Sequence, residues 1–278
     1  MPVEVVQLFD PADFLVRAEP LLLADEARHN LILGLAGTLR DHPHVYPEFV
    51  LWLVEQAGTV VSAALRTPPH NLVVARGSDA AVNALARAID EPLPGVVGAV
   101  PEVDRFVAAW GARAEPRVRQ AIYALHAVVP PSRPAAGSPH AATPADRPLL
   151  LEWWRAFAVE ALDEPAPDED RIARSVDHKL AEPAGGIALW KDEGRPVSTV
   201  GFGSPTPTGI RIGPVYTPRE LRGRGYASAL TADVSAQQLA AGRRFCFLYT
   251  NLANPTSNKI YVDIGYERVC DSVEYAFV

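Results

Sequence analysis

Gly213-Pro-Val-Tyr-Thr-Pro-Arg-Glu-Leu-Arg-Gly-Arg-Gly-Tyr-Ala-Ser-Ala-Leu230 joins an apolar stretch, Ile210 to Tyr216, to a run of helical spacing that starts at Tyr226. The joint is Arg222-Gly223-Arg224-Gly225-Tyr226-Ala227. Glycines at 223 and 225 remove Cβ atoms where successive backbone N–H groups can converge on one ligand. The helix start adds the positive end of its dipole, so strand, glycine turn and helix N-terminus make a cradle for a pyrophosphate. Arg222 and Arg224 supply local positive charge. The plain alternative is an ordinary left-handed turn before a helix, with both arginines in solvent. Two other phosphate loops do not fit. GxxxxGK[ST] is absent and no lysine lies near the turn, which argues against a P-loop NTPase. GxGxxG is missing too, since Gly201-Phe-Gly203 sits inside an apolar strand, which argues against a dinucleotide-binding enzyme.

Working outward, two strands flank Asp192-Glu-Gly194, namely Gly186 to Trp190 and Val197 to Phe202, and two helical stretches precede them, Leu149 to Ala161 and Asp168 to Leu180. After the glycine turn a helix runs from Tyr226 to about Ala241, stopped by Gly242. Then follow a strand Phe245 to Tyr249, a helix Thr256 to about Ile264, and two closing strands near Tyr266 to Val269 and Val273 to Phe277. Upstream, the prolines and small residues of 129–144 end all hydrophobic periodicity and read as an exposed linker. Ahead of it, Phe49 to Glu55 and Thr59 to Leu65 read as strands across the tight turn Ala57-Gly58, and Asn71 to Ala75 as a third. A helix from Ser78 to about Ile89, a strand near Val96, a helix Val103 to Trp110 and a strand Ala121 to Val128 complete this half. The same order read twice suggests two halves of one fold, 1–128 and 145–278, joined by the linker 129–144.

The 278 residues are 48% hydrophobic and 21% charged, which excludes a disordered chain. Lys+Arg is 26 against Asp+Glu 33, and the resulting −7 disfavours nucleic acid and anionic membrane as partners. Only Lys179, Lys191 and Lys259 are lysines among the 26 cations, and with 26 prolines this points to a GC-rich bacterial genome. Cys246 and Cys270 are too few for a disulfide framework or a zinc finger and read as buried hydrophobes. The N-terminus lacks a signal-peptide pattern and no apolar run reaches about 18 residues, so a cytoplasmic protein is expected.

Arg222-x-x-Gly225-x-Ala227 after an apolar strand resembles the R/Q-x-x-G-x-G/A signature of the GNAT superfamily, which moves acyl groups from acetyl-CoA to amines. About thirty residues on, Asn254-Pro-Thr-Ser257-Asn-Lys-Ile260-Tyr261-Val-Asp-Ile-Gly265-Tyr266 is similar to the family's second motif, Asn-x-x-Ala-x-x-Leu-Tyr-x-x-x-Gly-Phe, with Ser257, Ile260 and Tyr266 as mild departures. The match covers Ile187 to Val278 by motif and, more loosely, the chain from the linker onward. In the first half, Leu65-Arg-Thr-Pro-Pro-His-Asn-Leu-Val-Val-Ala-Arg-Gly-Ser78 lacks the arginine and glycine spacing, so that half is expected to have no cofactor site.

The resemblance implies an α/β (α+β) fold with a mixed, mostly antiparallel central sheet flanked by helices, in two tandem GNAT-like halves. It implies acetyl-CoA as co-substrate, lying between the splayed strands Ile210–Tyr216 and Phe245–Tyr249, with its pyrophosphate on Arg222 to Ala227. Main-chain groups of Val215 and Thr217 would pair with the pantetheine arm. A backbone N–H near Val215 or Tyr216 would polarise the carbonyl, and Asn254 would touch the pantetheine arm or simply cap its helix. Tyr261 would be the general acid for the departing thiolate, its alternative being a packed helix tyrosine. No metal is expected. For the base, Glu160, Asp163 and Glu164 compete with a water chain, and His178 reads as a surface histidine and Trp153-Trp154 as part core, part rim. The expected reaction is direct transfer to a primary amine of a small molecule or peptide, and the competing expectation is an acyl-CoA sensor or scaffold without turnover. Oligomeric state is not legible.

Overall fold

The computed structural model describes residues 2–162, 164–181 and 184–278. The chain divides into two compact units, residues 1–122 with 269–278, and residues 123–268.

The first unit runs β1 (Val3–Leu8), α1 (Pro11–Leu23), α2 (Asn30–Asp41), β2 (Val50–Gln56), β3 (Thr59–Arg66), β4 (Leu72–Val74), α3 (Asp79–Ala88), β5 (Gly95–Ala99), α4 (Glu102–Trp110) and β6 (Ala114–Leu125), whose last residues pass into the second unit. Helix α1 starts where Asp10 accepts the amide of Ala12 and Pro11 takes the first helical position. Its buried face, Phe14, Ala18 and Leu22, repeats at four residues, and this face and α2 (buried Ile32, Ala36 and Leu39) pack on Leu51, Leu53 and Leu65 of β2 and β3. On the other side α3 and α4 bury Val82, Leu85, Val103 and Phe106 against Trp52, Leu72 and Val96. The sequence reading found α3 and α4 but not α1 and α2.

The second unit repeats the order with β7 (Ser138–Ala141), α5 (Arg147–Ala161), α6 (Glu169–Ala181), β8 (Gly186–Asp192), β9 (Arg195–Gly203), β10 (Gly209–Tyr216), α7 (Tyr226–Ala240), β11 (Phe245–Asn251), α8 (Pro255–Asp263) and β12 (Glu267–Phe277). Strand, two helices, three strands, helix, strand, helix, strand therefore occurs twice. The hairpins β2–β3 and β8–β9 even share their turn: Ala57-Gly58 has φ of 53° and 75°, Glu193-Gly194 has 49° and 77°. Two successive positive φ values are the mark of the two-residue turn whose twist suits antiparallel strands.

Strands of the first unit lie in the order β1-β2-β3-β4-β5-β12, those of the second in the order β11-β10-β9-β8-β7. Within these two runs, β4 with β5 and β10 with β11 pair parallel, and β1–β2, β2–β3, β3–β4, β5–β12, β9–β10, β8–β9 and β7–β8 pair antiparallel. The two short strands expected at the C-terminus are one continuous strand, β12, because neither glycine nor proline interrupts Arg268-Val-Cys-Asp-Ser272. Its residues from Val269 belong to the first unit, where Ser272 to Ala276 pair with Ala99 to Gly95 of β5. Part of the proline-rich stretch is ordered into β7, which pairs with β8 and is clipped by the Trp190 indole donating to the Ala136 carbonyl at 2.7 Å. Among the described residues no helix is long and apolar enough to cross a membrane.

Candidate functional site

Strand β10 carries a bulge. It pairs with β9 at Arg211↔Gly203 and Ile212↔Phe202, slips across Gly213-Pro214, and resumes at Val215↔Val200 and Tyr216↔Thr199. A bulge bends its strand. On the opposite edge the parallel pairing to β11 is confined to Gly209↔Phe245, Ile210↔Cys246 and Arg211↔Phe247. Beyond these pairs β10 runs on to Tyr216 and β11 to Asn251 without each other, so the two strands part and present backbone groups that an extended ligand can pair with. Val215, Tyr216 and Thr217 all lie on this parted end.

The turn after it holds Gly223 at φ 77° and Gly225 at φ 85°. An L side chain there costs roughly 1–2 kcal/mol. At Gly225 the reason is conformation and not crowding, since a Cβ would stand 3.8 Å from Ala135 Cβ and 3.9 Å from the Arg133 carbonyl. Gly225 is also the N-cap of α7, and no side chain caps that helix. The first-turn amides of α7, at Tyr226 and Ala227, thus have no intramolecular side-chain acceptor, which suits an anionic ligand. Arg224 leans back to the Glu220 carbonyl at 3.5 Å, and the Tyr226 hydroxyl donates to Asp192.

Arg222 is engaged. Its Nε donates to the Thr217 carbonyl at 2.9 Å and its Nη2 to Glu160 Oε2 at 2.6 Å, while the guanidinium stands 5.8 Å from the Tyr216 ring centre. Glu160 also takes Arg219 at 3.1 Å and the Tyr216 hydroxyl at 3.2 Å. Partial burial disfavours the Glu160 carboxylate, but the hydrogen bonds from Arg222 and Arg219 outweigh this and hold its carboxyl below the usual range. Tyr216 moves up, through burial first and the Glu160 charge second. Ser198 secures the strand end from behind, donating to the Tyr216 carbonyl at 3.1 Å and meeting Thr217 Oγ1 at 2.8 Å. Sequence reasoning offered Glu160 only as a base and missed Ser198. A serine inside the apolar run Val197-Ser-Thr-Val200 was the available signal.

Helix α8 packs against α7 and β11. Asn254 caps it, its Oδ1 accepting the Ser257 amide at 3.1 Å. Tyr261 is 8% exposed, its ring 6.0 Å from that of Tyr266, and burial pushes its hydroxyl up to about 12. Tyr266 is itself buried and bonded to Ser235 at 2.9 Å. Of the other carboxylates considered for a base, Glu164 is paired with Arg171 and Asp163 lies outside the described residues. His178 is exposed on α6, and Trp153 and Trp154 are both core residues of the second unit. Cys246 is buried, its thiol pushed up to about 12 by burial, as expected of a hydrophobe. Among the described residues no group of three His, Cys, Asp or Glu side chains is arranged to hold a metal.

Comparison with curated proteins gives no match. Among solved structures the whole chain is similar in fold to an acetyltransferase of the GNAT family from Colwellia psychrerythraea, 11% identical over 100% of each chain with a TM-score of 0.59. A GCN5-related N-acetyltransferase from Sphaerobacter thermophilus is 18% identical over 98% of this chain and 94% of its own, TM-score 0.61. A tandem GNAT protein from the clavulanic acid biosynthesis pathway is 15% identical over 99% of this chain and 97% of its own, also 0.61. Such likenesses show the fold, and they extend it over both units. Residues 148–266 match the Acetyltransferase (GNAT) family itself. The parted strands and the glycine turn fall inside that match, and residues 148–266 are a domain of the GNAT acetyltransferase family, a family of acyltransferase enzymes.

Proposed function

We propose that the second unit transfers the acetyl group of acetyl-CoA by direct attack of a primary amine on a small molecule or peptide. One observation carries the reading: β10 parts from β11 directly before a turn whose glycines leave α7 without a side-chain cap. Bound acetyl-CoA supplies the activated acyl group as a thioester. Arg222, Gly223, Arg224, Gly225, Tyr226 and Ala227 hold its pyrophosphate, and main-chain groups of Val215 and Thr217 pair with the pantetheine arm. The Thr217 carbonyl is taken by Arg222, so its part falls to the remaining groups of the parted strand. A backbone N–H at Val215 or Tyr216 polarises the acyl carbonyl. Tyr261, kept protonated by burial, donates its proton to the leaving sulfur. Asn254 contributes its side-chain N–H, since its oxygen caps α8. Glu160 and Glu164 are bound to arginines and make poor bases, so deprotonation of the amine falls to water.

In the same reading residues 1–128 are a GNAT-like half without a cofactor site. Release of free CoA from acetyl-CoA, followed across a panel of small amines and peptides, tests the proposal. Amine-dependent release is expected. The lack of a free carboxylate at the end of α5 among the described residues favours a second reading, an acyl-CoA sensor, which predicts tight binding of acetyl-CoA and no release with any amine.

A further inference from the structure

The first unit contains a cleft of about 580 Å³ between the end of α1, the start of β3, the β4–α3 turn and the start of α4. That volume falls within the range usual for small-molecule sites, roughly 300–1,000 Å³. Its charged lining is Asp25, Arg28, Arg76 and Glu102. Arg28 pairs with Glu102 and donates to the Val100 carbonyl at 3.1 Å, yet its Nε is buried without a partner. A buried guanidinium N–H left without an acceptor is costly, and an acceptor atom brought in by a ligand would relieve that cost. Arg76 and Asp25 line the same cleft, and among the described residues neither forms an ion pair.

Arg76 is nevertheless fixed at its backbone. Its amide donates to Nε2 of His29 at 3.2 Å, and Nδ1 of that ring meets the Leu22 carbonyl at 3.0 Å. His29 is 2% exposed, and burial moves its pKa down, so the ring is neutral, with Nδ1–H donating and Nε2 accepting. The neighbouring Gly77 is pressed on β3, where a Cβ would lie 2.9 Å from Ser62 Cβ and Oγ. The backbone is therefore held while the Arg76 side chain stands free in the cleft mouth.

We propose that this cleft is a binding site for a small zwitterion, a free amino acid or a molecule with the same paired charges. Its carboxylate sits between Arg76 and the Arg28 Nε, and its ammonium faces Asp25. The unpaired Asp25 argues against a plain anion, and the unpaired Arg76 against a plain cation. The four lining charges sum to zero, which does not match a polyanion such as CoA. The site is separate from the acyl-transfer site and independent of the reading given to it.

Calorimetric titration of the full chain with each of the twenty protein amino acids, beside inorganic phosphate and methylamine, tests the assignment. At least one amino acid should bind once per chain. Arg76→Ala and Asp25→Asn should each weaken it by about tenfold or more, the loss expected for one charge-assisted contact. Asp25→Asn should spare the corresponding carboxylic acid that lacks the amine. Arg28→Lys, which keeps a cation for Glu102 but removes the Nε donor, should weaken binding with the fold intact, as read from the melting temperature. If no amino acid binds, or if binding survives both Arg76→Ala and Asp25→Asn, the proposal is wrong, and the second result would place the amino acid elsewhere, as an acceptor in the second unit would be. Phosphate binding that Arg76→Ala removes, with no amino acid bound, would also overturn it in favour of an anion site.

Discussion

Val74 of the first unit leads into α3 through Ala75-Arg-Gly-Ser78, and Tyr216 of the second leads into α7 through a longer turn that ends Arg222-Gly-Arg-Gly225. In the first, all three residues of β4 pair with β5, and the Ser78 hydroxyl caps α3 by accepting the Ala81 amide at 3.3 Å. In the second, β10 outruns its pairing with β11 by five residues, Ile212 to Tyr216, and glycine replaces the capping side chain. One helix start is closed by its own protein and the other is left open to a ligand. The two turns are also anchored differently, one by the neutral His29 ring on the Arg76 amide, the other by Glu160 on Arg222. A repeated fold thus does not repeat a site, because the site depends on how far a strand runs past its partner and on what caps the next helix.

The largest expected effect lies on α8, whose counterpart α4 has no tyrosine. Tyr261→Phe keeps the ring and should lower kcat by about 10²–10⁴, the usual worth of a general acid, while KM for acetyl-CoA stays within about twofold. Parent-like turnover with chemistry rate-limiting would leave Tyr261 a packing residue. A large fall in Tm would instead assign its hydroxyl to structure.

Gly225→Asp comes next. It combines a strained φ with a negative charge at the open helix start, and losing two charge-assisted bonds at about 1.5–3 kcal/mol each should weaken acetyl-CoA at least about 100-fold by calorimetry. The parent should bind one CoA per chain. Two equivalent sites would break the contrast between the turns.

Glu160→Gln should act in the opposite direction and by less. Removing the carboxylate that competes for Arg222 and Arg219 should tighten acetyl-CoA by about 1.4-fold to fivefold, the range of a solvent-screened ion pair of about 0.2–1 kcal/mol. Weaker binding would mean that Glu160 orients Arg222 for the ligand.

The smallest effect belongs to the first unit's anchor. Because burial lowers the pKa of His29, the unfolded chain takes up a proton before the folded chain as pH falls below about 6.5, so this contribution is complete above that value and declines on acidification. His29→Gln should flatten the fall in Tm between about pH 7 and pH 5. An unchanged slope would show that the ring protonates in the folded state without cost.

Much of the second unit was legible because its signals are local. The glycine turn, the hairpin Asp192-Glu-Gly194 and the Asn254 cap each depend on residues within a few positions of one another. Helices α1 and α2 were passed over even though Asp10-Pro11 and the spacing of Phe14, Ala18 and Leu22 were there to be read. The proline-rich stretch reads as linker by composition, yet β8 organises four of its residues into β7 by supplying hydrogen-bond partners from outside the segment. Glu160 was noticed as a carboxylate but not as the partner of Arg222, 62 residues away.

Local chain chemistry is enough for the positions where only one residue type avoids steric cost: positive φ at Gly223 and Gly225 demands glycine whatever surrounds them. Hydrophobic period and caps, set within a turn or two of chain, also encode the order of elements apart from β7, which forms only against β8. Packing between distant segments is what parts β10 from β11, sets Glu160 on Arg222, adds the residues from Val269 to the first unit's sheet, and puts Asp25 and Arg76 in one cleft. Those outcomes depend on which distant groups packing brings together and on the burial that sets their charge states, and no local pattern of residues encodes either.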